Sequence, residues 1–435
     1  MAPEARWGRA LRILAASLAL VTWAAGPANA QANPSAHNGC VACHASLGTG
    51  TGAVSRAEWD HDIHREIGFS CVDCHGGDPS TDDKARAKDR RRGYRGVPAG
   101  PAIIAVCARC HSDPALMRRF APRQRVDQGS EYATSVHGRR LAGGDTKVAT
   151  CTSCHSAHGI RRVSDARSPV YPLNVAATCA KCHADSTHMK GYTLPDGSPL
   201  PTNQRADYER SAHYAALARQ NDLSAPTCND CHGNHGAVPP GVGAIANVCG
   251  TCHAVYAARF ESSPHRDIFE RGCVECHGNH AVQPASDEML GSGSGSVCVT
   301  CHSDDTGQKV AAQMRVRIER LKAAIGQTDQ VTAQIRNAGM DVSDQELALA
   351  EARTRLTLAR TEIHASALSK VEPVISEGLK IVSGVDRSDQ SALAELRYRR
   401  RGLAISLAAI LLVVVALAFK VRELDRRNRV RSGKP

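Results

Sequence analysis

Aromatic residues make up only 4% of this 435-residue chain. Large apolar side chains of any kind are sparse before about residue 305, where Gly and Pro are plentiful. A loop-rich segment of that size cannot close an ordinary core from its own side chains, so a bound apolar group has to supply the buried surface. No cysteine stands outside a pair: all 18 fall in Cys-x-x-Cys spacings, an odd arrangement for a disulfide framework. Charge is missing altogether between Gly402 and Phe419. The net charge of +11 is less telling, because the first 30 residues contribute +2 and the tail from Lys420 contributes +5, leaving about +4 between them.

The ends carry membrane signals. Arg6, Arg9 and Arg12 begin a leader whose apolar run, around Leu11–Ala25, ends in Ala28-Asn29-Ala30. That is the pattern of a secretory signal peptide over residues 1–30. The uncharged run 402–419 is just long enough to cross a bilayer as a helix. Lys420, Arg422, Arg426, Arg427, Arg429, Arg431 and Lys434 follow it as a basic tail over 420–435, expected in the cytoplasm. Arg397 and Arg399 to Arg401 precede the span, so export of the N-terminus fixes the orientation more firmly than the charges do.

Each cysteine pair continues into a histidine. The pairs are Cys40/Cys43, Cys71/Cys74, Cys107/Cys110, Cys151/Cys154, Cys179/Cys182, Cys228/Cys231, Cys249/Cys252, Cys273/Cys276 and Cys298/Cys301, followed by His44, His75, His111, His155, His183, His232, His253, His277 and His302. Two thiols three positions apart can add to the two vinyl groups of one porphyrin. The next residue then presents a neutral imidazole to the iron. Zinc binding does not need a His beside the second Cys nine times over. The motifs therefore predict nine covalently attached haem c groups, whose propionates turn the exported part negative and argue against a nucleic-acid partner.

The other histidines form a repeat. An aromatic residue, two intervening residues and Ser-x-His lead each unit: Tyr132 with Ser135-Val136-His137, Tyr208 with Ser211-Ala212-His213, Phe260 with Ser263-Pro264-His265. A Cys-x-x-Cys-His-x-x-His follows, adding His158, His235 and His280, and a plain motif closes each unit at His183, His253 and His302. Two motifs and two spare histidines per unit suit irons with two imidazoles each. Residues 59–111 read as a degenerate copy led by His64, in which Gly76-Gly77-Asp78 replaces the second spare histidine. The Cys40 motif stands outside the repeat. The expected distal ligands are thus His64, His137, His158, His188, His213, His235, His265 and His280. His37, His61 and His364 compete for the ninth place.

Lys84–Arg95 carries seven basic residues and reads as a solvated loop, with a docking patch as the alternative. Gly291–Ser296 is flexible by composition. After His302 the chain turns helical: Met314, Ile318, Leu321, Ile325 and Ile335 form one stripe, Asn337-Ala338-Gly339 a stop, and Ser343-x-x-Glu346 a capping box opening a second helix with Leu349, Ala352, Leu356, Ala359 and Ile363 on one face. Pro373 ends that helix or begins a third. His364, at the edge of the stripe, is either a surface histidine or one that reaches a haem.

The nine motifs, the Ser-x-His lead-ins and the Cys-x-x-Cys-His-x-x-His units resemble bacterial multihaem cytochromes c, the broad superfamily of ammonia-forming nitrite reductase, hydroxylamine oxidoreductase and octahaem cytochromes. The resemblance implies closely packed haem pairs with little regular structure around them. No Cys-x-x-Cys-Lys occurs, so the lysine-ligated catalytic haem of most ammonia-forming nitrite reductases is missing. The expected fold is mainly α with extensive loop: a nine-haem domain over 31–305, a helical stalk or bundle over 306–400, then one transmembrane helix. The expected role is an electron carrier on the periplasmic face of the inner membrane, between a membrane donor such as a quinol-oxidising subunit and a periplasmic redox partner. An oxidoreductase acting on a small nitrogen or sulfur species at one open haem is the alternative.

Overall fold

The computed structural model describes residues 38–49, 52–240, 245–303 and 305–433; the expected signal peptide and His37 lie outside them. The described chain is helix and loop, with one isolated bridge, Thr193 to Pro199, as its extended pairing. It divides into two compact units, Met1–Val126 with Ala149–Ser168, and Asp127–Val148 with Pro169–Pro435. The helical segment after 305 belongs to the same unit as the later haem motifs.

Burial is split unevenly along the sequence. Among the described residues, eight apolar side chains are buried before residue 305, including Met117, Val175, Tyr208 and Leu217; beyond it there are sixteen. The later group is a three-helix bundle of Thr306–Asn337, Ser343–Glu362 and the first part of Leu368–Ser432. Met314, Ile318, Leu321 and Ile325 meet Ala352, Leu356, Ala359, Val371, Ile375 and Val382 in its core. The helical spacing read from the sequence is the spacing of that core.

Local rules set the ends of these helices. Gly339, at φ +85°, follows the first one. The capping box expected at Ser343 does not form. Asp341 accepts from the Ser343 backbone N–H (3.0 Å) and hydroxyl (2.7 Å) instead, because an Asx turn two residues ahead satisfies the same orphan amide. Pro373 neither ends the second helix nor begins the third: it lies inside the third, five residues past its start at Leu368, where the missing N–H forgoes one helical bond. That helix runs on unbroken through residues 402–419, an apolar stretch of mean hydropathy 2.8 that is wholly exposed.

Two loop expectations change. Gly291–Ser296 is an ordered turn rather than a flexible one: Ser296 is buried, its hydroxyl donates to the Gly291 carbonyl (2.5 Å), and it accepts from the Cys298 N–H (3.1 Å). The basic segment is also partly tied down, since Arg86 and Arg92 pair with buried Asp78 at 3.2 and 3.1 Å. A Cβ on Gly76 or Gly77 would collide with the Gly93 or Ala87 carbonyl. Gly-Gly-Asp therefore folds the basic segment back over the second motif.

Candidate haem-binding site

Opening and closing motifs are built differently. The opening motifs occupy one-turn helices, Cys71–His75, Cys151–His155, Cys228–His232 and Val274–His277. Ser70, Thr150 and Thr227 begin the first three through capping boxes with Asp73, Ser153 and Asp230, which fix a helix too short to persist alone. The residue after each proximal histidine, Gly76, Ser156, Gly233 or Gly278, has φ between 70° and 85°. This left-handed step turns the chain sharply before the trailing histidine, and Ser156 adopts it against its side-chain preference. Two closing motifs end longer helices started by proline, Pro101–His111 and Pro172–His183, whereas the last begins in the short turn Cys298–Thr300.

The lead-in serine has a definite task. Ser135, Ser211 and Ser263 are buried, and each N-caps the short helix carrying its histidine, accepting from Gly138, Tyr214 and His265 N–H at 2.8, 3.0 and 3.1 Å. In the degenerate copy Asp62 takes the serine's place, accepting from the His64 N–H at 2.8 Å.

These elements bring histidines together in pairs. Ring centres are 6.0 Å apart for His64 and His111, 6.2 Å for His75 and His158, and 6.1 Å for His137 and His183. They are 6.3 Å apart for His213 and His253, 6.0 Å for His232 and His280, and 6.1 Å for His265 and His302. A seventh pair, His277 with His364, stands at 6.2 Å. Two trans imidazoles on one metal, with bonds of about 2.0 Å and about 1.1 Å from nitrogen to ring centre, put their centres roughly 6.2 Å apart. The spacing is that of bis-imidazole ligation.

The other ring nitrogen is held as ligation requires. His75 Nδ1 meets the Gly96 carbonyl at 2.9 Å, His232 that of Val238 at 3.2 Å, and His364 that of Thr361 at 3.1 Å. His44 Nδ1 meets the Gly52 carbonyl. Carboxylates do the same for His64 (Asp62, 3.1 Å) and His302 (Asp305, 2.6 Å). These contacts engage Nδ1, so Nε2 is the nitrogen that would bind a metal. Burial first, and the facing imidazole second, hold His137, His213, His265, His277 and His280 below the ordinary histidine range, favouring the neutral ligand form. The sparse apolar core, the pair spacing and the fixed Nδ1 atoms together fit haem.

The pairs follow a register. A lead-in histidine faces the closing motif of its own unit. Two trailing histidines face the opening motif of the repeat before: His158 faces His75 and His280 faces His232. A backbone bond repeats with it: Ile63, Val136 and Ala212, each just before a lead-in histidine, donate to the carbonyls of Ile160, Ala237 and Val282 at 2.8, 3.0 and 2.8 Å, two residues beyond a trailing histidine. His155 ends its own one-turn helix, and His235 lies 3.8 Å from the Glu131 carboxylate. His188 sits in the one-turn helix Ser186–Met189, its N–H bonded to Asp185, beside the His183 that faces His137. His61, the exposed C-cap of Arg56–Asp60, enters none of the seven pairs.

All eighteen cysteines are thiols outside any disulfide, as thioether attachment needs. Many of them adjoin cysteines of the next motif. In the first unit burial, then the neighbouring Cys40, push the Cys71 thiol up to about 11; Cys74 feels Cys107 and, more weakly, Cys110, and Cys107 hydrogen-bonds Cys151. In the second, Cys228 hydrogen-bonds Cys179, Cys231 feels Cys252, and Cys249 hydrogen-bonds Cys273. Burial, then Cys298, push Cys276 up to about 11, with Cys301 adding to the rise. The motifs thus adjoin in sequence order, four in one unit and five in the other.

The second cysteines do not share one environment. Cys43, Cys74, Cys231, Cys252 and Cys301 are exposed, whereas Cys110, Cys154, Cys182 and Cys276 are half-buried. Cys43 and Cys154 each act on the first cysteine of their own pair, Cys40 and Cys151. Cys182 instead lies near the Tyr192 ring. The sequence treats all nine as equal attachment positions; their exposure does not follow the order of the motifs along the chain.

Residues 63–184 match the cytochrome c3 family model, and residues 265–307 match that of the doubled CXXCH motif. These matches support a bacterial multihaem cytochrome c, a family that implies covalently bound haem c. The multiheme cytochrome MtrA of Shewanella baltica (strain OS185) is 23% identical over 236 residues, 48% of this chain and 60% of that protein. No solved structure matches.

Proposed function

We propose that this cytochrome carries nine haems, each on one Cys-x-x-Cys-His motif, and relays electrons along them while anchored by residues 402–419 to the periplasmic face of an inner membrane. Its donor is a membrane component of the quinol-oxidising kind and its acceptor a periplasmic redox protein. Haem supplies a one-electron iron couple. The protein's part is to fix two imidazoles per iron and to hold them neutral. The recurrent 6.0–6.3 Å histidine pairs carry this reading, because two strong ligands leave no site for a substrate and need little rearrangement when an electron moves. The adjoining cysteines support it further, since thiols bonded to neighbouring porphyrins bring their edges close.

One observation favours a second reading, an oxidoreductase acting on a small nitrogen or sulfur species. By the register, the trailing position of the degenerate unit belongs to the motif before it, the one ending in His44. That position is Asp78, a carboxylate tied to Ser80, Arg86 and Arg92. On this reading the open iron is the one at His44. The test is spectroscopic. The oxidised holoprotein is expected to be wholly low-spin, to bind no carbon monoxide on reduction, and to exceed its processed chain by the mass of nine haems. One high-spin haem that takes up carbon monoxide or nitrite replaces the carrier reading with the enzyme.

A further inference from the structure

The register leaves its last unit short. The trailing histidine that serves an opening motif comes from the unit that follows, and after Cys298/Cys301 no further motif follows. His277 should therefore lack a partner. The lead-in of this unit also differs: Pro264 occupies the position whose N–H elsewhere donates across to the next unit. Proline has no such hydrogen, so the last unit is built without the bond that would tie it to a successor.

The loop between the second and third bundle helices stands in that place. His364, in the turn Ile363–Ala365, lies 6.2 Å from His277 with the rings 17° from parallel. Its Nδ1 is occupied by the Thr361 carbonyl. Two residues on, Ser366 takes a left-handed conformation at φ +52°. That step sets its hydroxyl oxygen 3.0 Å from His265 Nδ1, where it also accepts from the capping hydroxyl of Ser263 (3.1 Å). Asp305 N-caps the first bundle helix and also holds His302 Nδ1 at 2.6 Å. A Cβ on Gly307 would strike the His302 ring. Arg259 with Glu362 (2.7 Å), and Asp287 with Arg360 (2.7 Å) and Lys322 (3.3 Å), fasten the same faces together.

We propose that the helical bundle is the terminal cap of the haem repeat, with His364 the distal axial ligand of the iron at Cys273, Cys276 and His277, and with Ser366 and Asp305 positioning the two axial histidines of the last iron. The polypeptide that enters the membrane is then part of the cofactor site itself. This rests on the bis-histidine reading above. Solenoid ends generally need an atypical capping element; here the cap also supplies a ligand.

The test uses the full-length holoprotein. His364→Gly is expected to convert one haem equivalent to high-spin, to bind one equivalent of carbon monoxide on reduction, and to return to low-spin with added imidazole. His364→Met is expected to stay six-coordinate while one haem's midpoint potential shifts positive, as methionine ligation raises it. Ser366→Ala is expected to move one potential without changing spin state. A wild-type protein with no open haem, whose His364→Gly and His364→Met variants keep its spin state and all its potentials, overturns the capping proposal and leaves the carrier reading intact. A wild-type protein that already binds carbon monoxide tells against the carrier reading instead.

Discussion

The imidazoles of His232 and His280 lie 6.0 Å apart and 13° from parallel, although His280 follows the next opening motif, that of His277. Sequence proximity would assign it to the nearer iron. The Ala212 to Val282 bond, 2.8 Å, is what carries the Cys273 unit back against the one before. His280→Ala is expected to open one haem, that of His232. The double variant with His364→Gly is expected to open two, measured as carbon monoxide equivalents on reduction. A double variant that opens only one shows that both histidines serve the same iron.

Ser211 is buried and caps the helix that carries His213. Ser211→Ala is expected to cost about 1 kcal/mol, read as a lower denaturation midpoint of the holoprotein. Ser211→Asp should recover much of that, because Asp62 performs the same task at His64. Equal loss in both variants speaks against capping as the reason for the serine.

Two enclosed carboxylates should respond to pH in opposite directions. Arg360 above all, with Lys322, holds Asp287 below the usual carboxylate range. The stability it contributes is full above about pH 4 and is lost as pH falls through the depressed value. Asp287→Asn should then destabilise by about 1–3 kcal/mol near neutral pH, with the gap closing in acid. Burial raises Asp389, which accepts from Thr332 at 2.6 Å through one oxygen while the other has no partner. Its native form favours the proton, so stability declines as pH rises through the raised value. Asp389→Asn is expected to stabilise near neutral pH and to make little difference in acid. Denaturation midpoints at both pH values check each sign.

Removing residues 402–435 is expected to release a soluble, red protein, because the apolar stretch is wholly exposed and the bundle core is complete without it. Fractionation after expression decides it. A truncated chain that stays with the membrane points to a second attachment.

Much was legible in the residues alone. The haem motifs, the helical stripes of the bundle and the lead-in repeat are local patterns, and thioether chemistry, helical periodicity and N-capping act over a few residues. Asp62 carried a signal of the same kind, an acidic residue in the place of the repeated serine. The pairing of histidines was not legible, since it depends on backbone bonds between neighbouring units and on the left-handed step after His75, His155, His232 and His277. Nor was the unequal exposure of the second cysteines, Cys74 open and Cys110 half-buried, which the chain folded around each motif decides. Only the tertiary structure set His364 opposite His277 rather than on a free surface, because that choice lies in how the bundle packs on the last haem unit. Asp305 and Ser366 escaped for the same reason: an ordinary helix cap and an ordinary turn acquire a second task only when a histidine from elsewhere in the chain is folded against them.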